Sequence, residues 1–120
     1  MQISEAESIV MEALWNESPL SAEDVVAVLA GDRQWQEATV KTLLNRLLGK
    51  GAIAAEKDGR RYLYRPVLTR DDYVASESKT LLDRLFNGRV APLVQHFSER
   101  KKLSKKDIAE LKRLIEDLDR

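Results

Sequence analysis

The sequence predicts a mainly α-helical chain carrying one small β-hairpin, on three observations. Apolar residues recur at helical spacing in six separate stretches, the period changes to alternation only after Gly51, and a single Asp-Gly pair, Asp58-Gly59, lies inside the alternating stretch where a type I′ hairpin turn needs it. With 120 residues the chain is one domain or two small lobes, with a modest core.

Ser4 with Glu7 spells a capping box, and Ala6, Ile9, Val10, Ala13 and Leu14 follow at helical spacing, which predicts a first helix over 4–16. Asn16-Glu17-Ser18-Pro19 breaks that pattern. Ser21 with Asp24 caps a second helix whose apolar positions are Val25, Val26 and Leu29 and which ends near Gly31. The stretch Trp35 to Gly51 reads as a third helix. Val40, Leu43, Leu44, Leu47 and Leu48 line one face, Ala38, Lys41, Thr42 and Asn45 the other, and Arg46 and Lys50 flank that second face. Gly51 can take the left-handed conformation that ends a helix, and Lys50 sits at the negative end of the helix dipole.

Pairing across a turn at Asp58-Gly59 sets Lys57 opposite Arg60, Glu56 opposite Arg61 as a cross-strand ion pair, Ala55 opposite Tyr62 and Ile53 opposite Tyr64. Ile53, Ala55, Tyr62 and Tyr64 then form a face that packs on the helices, and Lys57, Arg60 and Arg61 ride at the tip. Three helices followed by a cationic hairpin is the order of a winged helix-turn-helix, with the third helix as the recognition element. Residues 1–67 are expected to form this domain.

Residues 68–120 are expected to form a helical dimerisation region. Pro66 ends the second strand, and Thr69 with Asp72 caps a fourth helix that Asn87-Gly88 stops. Val90, Leu93, Val94 and Phe97 mark a fifth. Ser104 with Asp107 caps a sixth, whose stripe is Ile108, Leu111, Leu114, Ile115 and Leu118. Three short amphipathic helices expose more apolar surface than they can bury alone, and a second copy is the simplest cover. The expected shared core is Leu81, Leu85, Leu93, Phe97, Leu111, Leu114 and Leu118. A symmetric homodimer also suits a palindromic DNA site read by two recognition helices.

The formal net charge of zero conceals an uneven layout. Residues 1–32 carry seven acidic side chains and no Lys or Arg, whereas residues 33–65 carry eight basic ones (Arg33, Lys41, Arg46, Lys50, Lys57, Arg60, Arg61, Arg65) against Glu37, Glu56 and Asp58, a net of +5. Such a patch is the footprint of phosphate contact, while the neutral whole opposes indiscriminate binding. The run Arg100-Lys101-Lys102 with Lys105-Lys106 reads as a solvated helix junction. The absence of cysteine excludes disulfides, thiolate metal sites and cysteine catalysis. No basic-then-apolar leader and no apolar run of membrane-spanning length is present, so a cytoplasmic protein without membrane insertion is expected. No nucleophile-base pair or metal-ligand cluster suggests an enzyme, and no cofactor is expected.

The motifs Ile3-Ser4-Glu5-Ala6-Glu7, Leu14-Trp15, Trp35, Thr39-Val40-Lys41-Thr42-Leu43-Leu44-Asn45-Arg46-Leu47, Lys50-Gly51 and Gly59-Arg60-Arg61-Tyr62-Leu63-Tyr64, with Tyr73, Glu77-Ser78 and Leu103-Ser104, resemble the penicillinase-repressor family (BlaI/MecI/CopY) over nearly the whole chain. The resemblance implies a dimeric winged-helix repressor of bacterial operons, commonly of β-lactamase or related antibiotic-resistance genes. Antibiotic-responsive members often carry Ser-Pro-Lys where this chain has Gln36-Glu37-Ala38, so their operator does not carry over at the bases those side chains approach. The copper-responsive branch has a cysteine-rich C-terminal motif that this chain lacks. In sensor-coupled members a membrane sensor-protease pathway leads to cleavage of the dimerisation region just before a Phe, and the matching bond here is His96–Phe97. His96 is thus either an ordinary helix residue near the dimer seam or one side of a scissile bond.

The expectation is therefore a homodimeric repressor on a palindromic operator. Thr39, Lys41, Thr42 and Asn45 would meet base edges or adjacent phosphates, and Arg46, Lys50, Arg60 and Arg61 would meet phosphates. The rival is a protein–protein adaptor with the same fold and no DNA binding, which the +5 segment disfavours.

Overall fold

The computed structural model describes all 120 residues, in the order α1 (Glu5–Asn16), α2 (Ala22–Leu29), α3 (Glu37–Gly49), β1 (Ile53–Asp58), β2 (Arg61–Pro66), α4 (Arg70–Leu85), α5 (Val90–Glu99) and α6 (Lys105–Leu118). The chain divides into two compact units, Met1–Val74 and Ala75–Arg120, and the break falls inside α4.

In the first unit the helix starts follow their capping residues. The Ser4 hydroxyl accepts from the Glu7 N–H at 3.1 Å while Glu7 Oε1 accepts from the Ser4 N–H at 2.9 Å. Ser21 and Asp24 repeat the exchange at 3.1 and 3.0 Å, so two of the orphan donors at each helix start are satisfied within the turn. Val10, Met11 and Leu14 of α1, Val25 of α2 and Val40, Leu44 and Leu47 of α3 are wholly buried. Ile53 and Tyr64 of the hairpin close this core from one side.

The third helix is shorter than the predicted Trp35 to Gly51. Gln36 is extended, with φ −79° and ψ 159°, and the helix starts at Glu37, because Trp35 is half-buried against the core edge with the Arg33 guanidinium 5.5 Å above its ring. The second helix likewise stops at Leu29, ahead of the predicted Gly31. At the end of α3, Gly51 adopts φ 77°, its N–H donates to Leu48 O and the Ala52 N–H donates to Leu47 O, both at 3.0 Å. This Schellman ending satisfies the last carbonyls and turns the chain into β1.

The hairpin departs from the predicted register. Ala55 pairs with Tyr64, Lys57 with Tyr62 and Asp58 with Arg61, so the two-residue loop is Gly59-Arg60, not Asp58-Gly59. Gly59 has φ 64° and Arg60 is not in the left-handed region, the pattern of a type II′ turn. A type I′ turn would have forced Asp58 to a positive φ, whereas here only glycine takes it. The shift is an even number of residues, so Ile53 and Tyr64 still point at the core. Ala55 and Tyr62, also predicted to pack inward, are exposed because the outer half of the hairpin extends beyond the helices. The predicted Glu56–Arg61 pair is absent, and Arg61 instead lies 3.4 Å from Asp58. One strand-like contact was not foreseen: Leu20, just ahead of α2, bridges Tyr64 through hydrogen bonds of 3.0 and 2.8 Å and extends the sheet at its inner end.

The segment after the hairpin is held on α1. The Trp15 indole N–H donates to Leu68 O at 2.8 Å, its ring lies 5.5 Å from that of Tyr73, and Arg70 pairs with Glu12 at 3.2 Å. Thr69 caps α4 as expected, accepting from the Asp72 N–H at 3.1 Å.

In the second unit the remainder of α4 is followed by α5 and α6, and no residue from Ala75 to Arg120 is buried. Leu85 at the end of α4 and Leu114 and Leu118 on α6 are 65%, 59% and 83% exposed, apolar surface that the unit itself does not cover. Leu93, Val94, Phe97, Leu103, Leu111 and Leu114 line an open apolar groove of about 310 Å³ between α5 and α6.

The first unit contains one buried ion pair. Lys50 Nζ lies 2.6 Å from Oε1 of Glu7, whose side chain is 2% exposed, and it also donates to Gln2 O at 2.8 Å. Burial alone would push the Glu7 carboxyl up. The hydrogen bond from Lys50, those from Ser4 and the ammonium charge outweigh it and hold the group below its ordinary value. Its stabilisation is therefore full above the ordinary carboxylate range and is lost as pH falls through the lowered native value. Lys50→Met, which strands the buried carboxylate, should cost about 3 kcal/mol at pH 7. In denaturant titrations that cost should shrink as pH drops and Glu7 protonates in both proteins; a pH-independent difference would show that Lys50 acts through packing alone.

Candidate nucleic-acid interface

Helix α3 buries Val40, Leu43, Leu44 and Leu47 and leaves Ala38, Thr39, Lys41, Thr42, Asn45 and Arg46 in solvent, so the face predicted to meet a groove is free along the whole helix. Thr42 donates its hydroxyl to Ala38 O at 3.0 Å, which spends the proton inside the helix and leaves the methyl group and the oxygen lone pairs for an outside partner. Lys41 Nζ lies 3.2 Å from Oε1 of Glu37, one turn earlier, with both side chains about half exposed. Gln36 makes no side-chain cap, so the first amides of α3 keep their donors unspent.

The hairpin supplies the second part of the surface. Arg60 sits in the turn, exposed, and Arg61 follows it on β2. Asp24, at the start of α2, has a lowered carboxyl pKa, chiefly because the Ser21 backbone and hydroxyl bond to it and in smaller part because of the Arg61 charge. The wing cation therefore lies within electrostatic reach of the helix-turn-helix. A shallow cleft of about 290 Å³ runs between α3 and the wing, lined by Glu23, Glu37, Lys41, Arg60, Arg61 and Tyr62.

Of the predicted DNA-facing residues, Thr39, Lys41, Thr42, Asn45 and Arg46 share one face of α3, and Arg60 and Arg61 stand across the cleft from Lys41. Lys50 stands apart, because its ammonium is turned inward to Glu7. That partnership links residues 43 positions apart and leaves no local sequence signal. The Glu37–Lys41 pair did have one, the i,i+4 order of acid before base. The predicted Leu81, Leu85, Phe97, Leu114 and Leu118 are exposed and Leu93 and Leu111 half-buried, all in the second unit.

Three helices, a two-stranded wing and a cationic face shared between the third helix and the wing tip define the class: this is a winged helix-turn-helix protein. The sequence profile of the penicillinase repressor family matches residues 3–117, and the chain belongs to that family. It is 35% identical over 116 residues to the penicillinase repressor of Bacillus licheniformis, covering 97% of this chain and 91% of the relative. It is 31% identical over 114 residues to the methicillin resistance regulatory protein MecI of Mammaliicoccus sciuri, covering 95% and 93%. Among solved structures it is similar to monomeric Bacillus licheniformis BlaI in complex with the blaP half-operator, with a TM-score of 0.52 and 37% identity over 61% of this chain and 89% of that one. No helix is long and apolar enough to cross a membrane.

Exposed cations without a buried partner add affinity for any phosphate backbone and read no sequence. Arg60→Ala with Arg61→Ala should weaken binding to matched and unmatched duplexes alike and lower the slope of log affinity against log salt by about 2. Mobility-shift titrations at several salt concentrations measure this; an unchanged slope would place the wing tip away from DNA.

Proposed function

We propose that the chain is a homodimeric transcriptional repressor that occupies a palindromic operator of resistance-type genes. The observation that carries the reading is the exposed α3 face with Arg60 and Arg61 across the cleft, in a chain 35% identical to a penicillinase repressor. Thr39, Lys41, Thr42 and Asn45 approach base edges. Arg46, Arg60 and Arg61 take phosphates, and Lys50 contributes by fixing the end of α3 through Glu7. The first unit carries DNA recognition and the second carries dimerisation.

The absence of any buried residue in Ala75–Arg120 supports the dimer, because helices with leucines this exposed need a second apolar surface. The family resemblance adds relief of repression by proteolysis at His96–Phe97 through a membrane sensor-protease pathway to this reading. That bond lies within α5, and a protease must unwind a helix to cleave it. Opening is cheapest where no second copy is seated on α5, which by itself buries no residue. His96 packs its ring 6.3 Å from Phe86 and 5.4 Å from Phe97, so a cut there divides an aromatic cluster as well as the chain.

A chain ended after Val74 keeps every contact of the first unit, including Trp15 with Leu68 and Tyr73. It should fold, sediment as a monomer and bind a palindromic duplex on the order of 100-fold more weakly than the intact chain, because two linked half-site readers gain effective concentration that one lacks. Sedimentation and mobility shift decide it: a truncated dimer, or an intact monomer at micromolar concentration, would refute the division of labour. Intact chains that bind no duplex at low salt would favour the adaptor.

A further inference from the structure

The recognition helix opens on an acid, an odd choice for a surface that approaches a polyanion. Glu37 is the first residue of α3, and its Oε1 lies 3.2 Å from the Lys41 ammonium, the side chains being 44% and 58% exposed. The order, acid one turn before base, is the favourable one on a helix, so the two side chains hold each other in place. Ala38 adds no bulk beside them, and the Thr42 hydroxyl is already given to Ala38 O, so no neighbour on the next turn competes for the carboxylate.

The arrangement has a natural complement. In the major groove a G·C pair presents the N7 and O6 acceptors of guanine beside the N4 amino donor of cytosine. A carboxylate next to an ammonium is the inverse of that edge, with the acid set to accept from cytosine and the base set to donate to guanine. A lone carboxylate would be repelled by the flanking phosphates, but Lys41 at 3.2 Å offsets its charge. We infer that Glu37 and Lys41 act as one reader of a single G·C pair in each half-site, with Glu37 the specificity-determining residue. The inference rests on the DNA reading above and goes beyond it by naming the base pair and its orientation.

The test uses the full-length chain. Enrichment from a random duplex pool yields its site, and mobility shifts on duplexes changed one pair at a time give the preference at each position. The intact chain should select a fixed G·C pair, with any other pair there weakening binding on the order of 10-fold. Glu37→Ala should erase discrimination at that position and leave the other positions unchanged. The charge-swapped double variant, Glu37→Lys with Lys41→Glu, keeps the ion pair and should invert the preference to C·G. A Glu37→Ala protein whose affinity shifts by one factor on every duplex would overturn the inference, since the acid would then act on phosphates or the helix dipole. A swapped protein that retains the original preference would overturn it too. Sequence-selective binding indifferent to Glu37 defeats this inference alone, whereas an intact chain that binds no duplex defeats the DNA reading with it.

Discussion

Glu7 Oε1 accepts from the Ser4 N–H at 2.9 Å and from the Lys50 ammonium at 2.6 Å, so one buried oxygen ties the first turn of α1 to the last residue before the Schellman turn of α3. Charged groups gain little from burial in themselves, because desolvation consumes most of the attraction. What such a pair fixes is position. With its C-terminal end held this way and its inner face filled by Val40, Leu44 and Leu47, α3 has little freedom to roll or slide. The exposed side chains inherit that fixity, and base reading requires it, since hydrogen bonds to base edges tolerate only small misplacements.

The wing is secured by a different means. A two-stranded hairpin alone is marginal in water, and here its inner end is stabilised by Ile53 and Tyr64 in the core and by the Leu20 bridge, while the outer end carries only solvated side chains. Arg60 and Arg61 therefore sit beyond the part of the hairpin that the core holds. Phosphate contact tolerates such looseness, because charge attraction falls slowly with distance. In the proposed complex the precise task falls to the packed helix and the approximate one to the solvated tip.

Much of this was readable from residue order, for identifiable reasons. Capping residues and apolar periodicity act within a few positions, so the six helices, the hairpin and the outward face of α3 follow from local pattern. The hairpin register did not, because Asp58-Gly59 and Gly59-Arg60 both place a glycine in the loop, and the contacts at the inner end, Leu20 with Tyr64 among them, come from outside the hairpin. The exposure of Ala55 and Tyr62 is not legible in the pattern, because alternation reports which face a residue occupies, not how far the core extends beneath it. Lys50 looked like any helix-terminal cation. Its turn inward depends on Glu7 arriving from the far end of the domain, which no spacing rule encodes.

The second unit, with nothing buried between Ala75 and Arg120, has a thermodynamic consequence of its own. Ordinary domains bring their stabilising surface with them, and their folding is indifferent to how many copies are present. Helices whose leucines await a covering surface obey mass action instead, so their order rises with the logarithm of the concentration of whatever covers them. In the proposed dimer, dilution would do to this unit what urea does to the other.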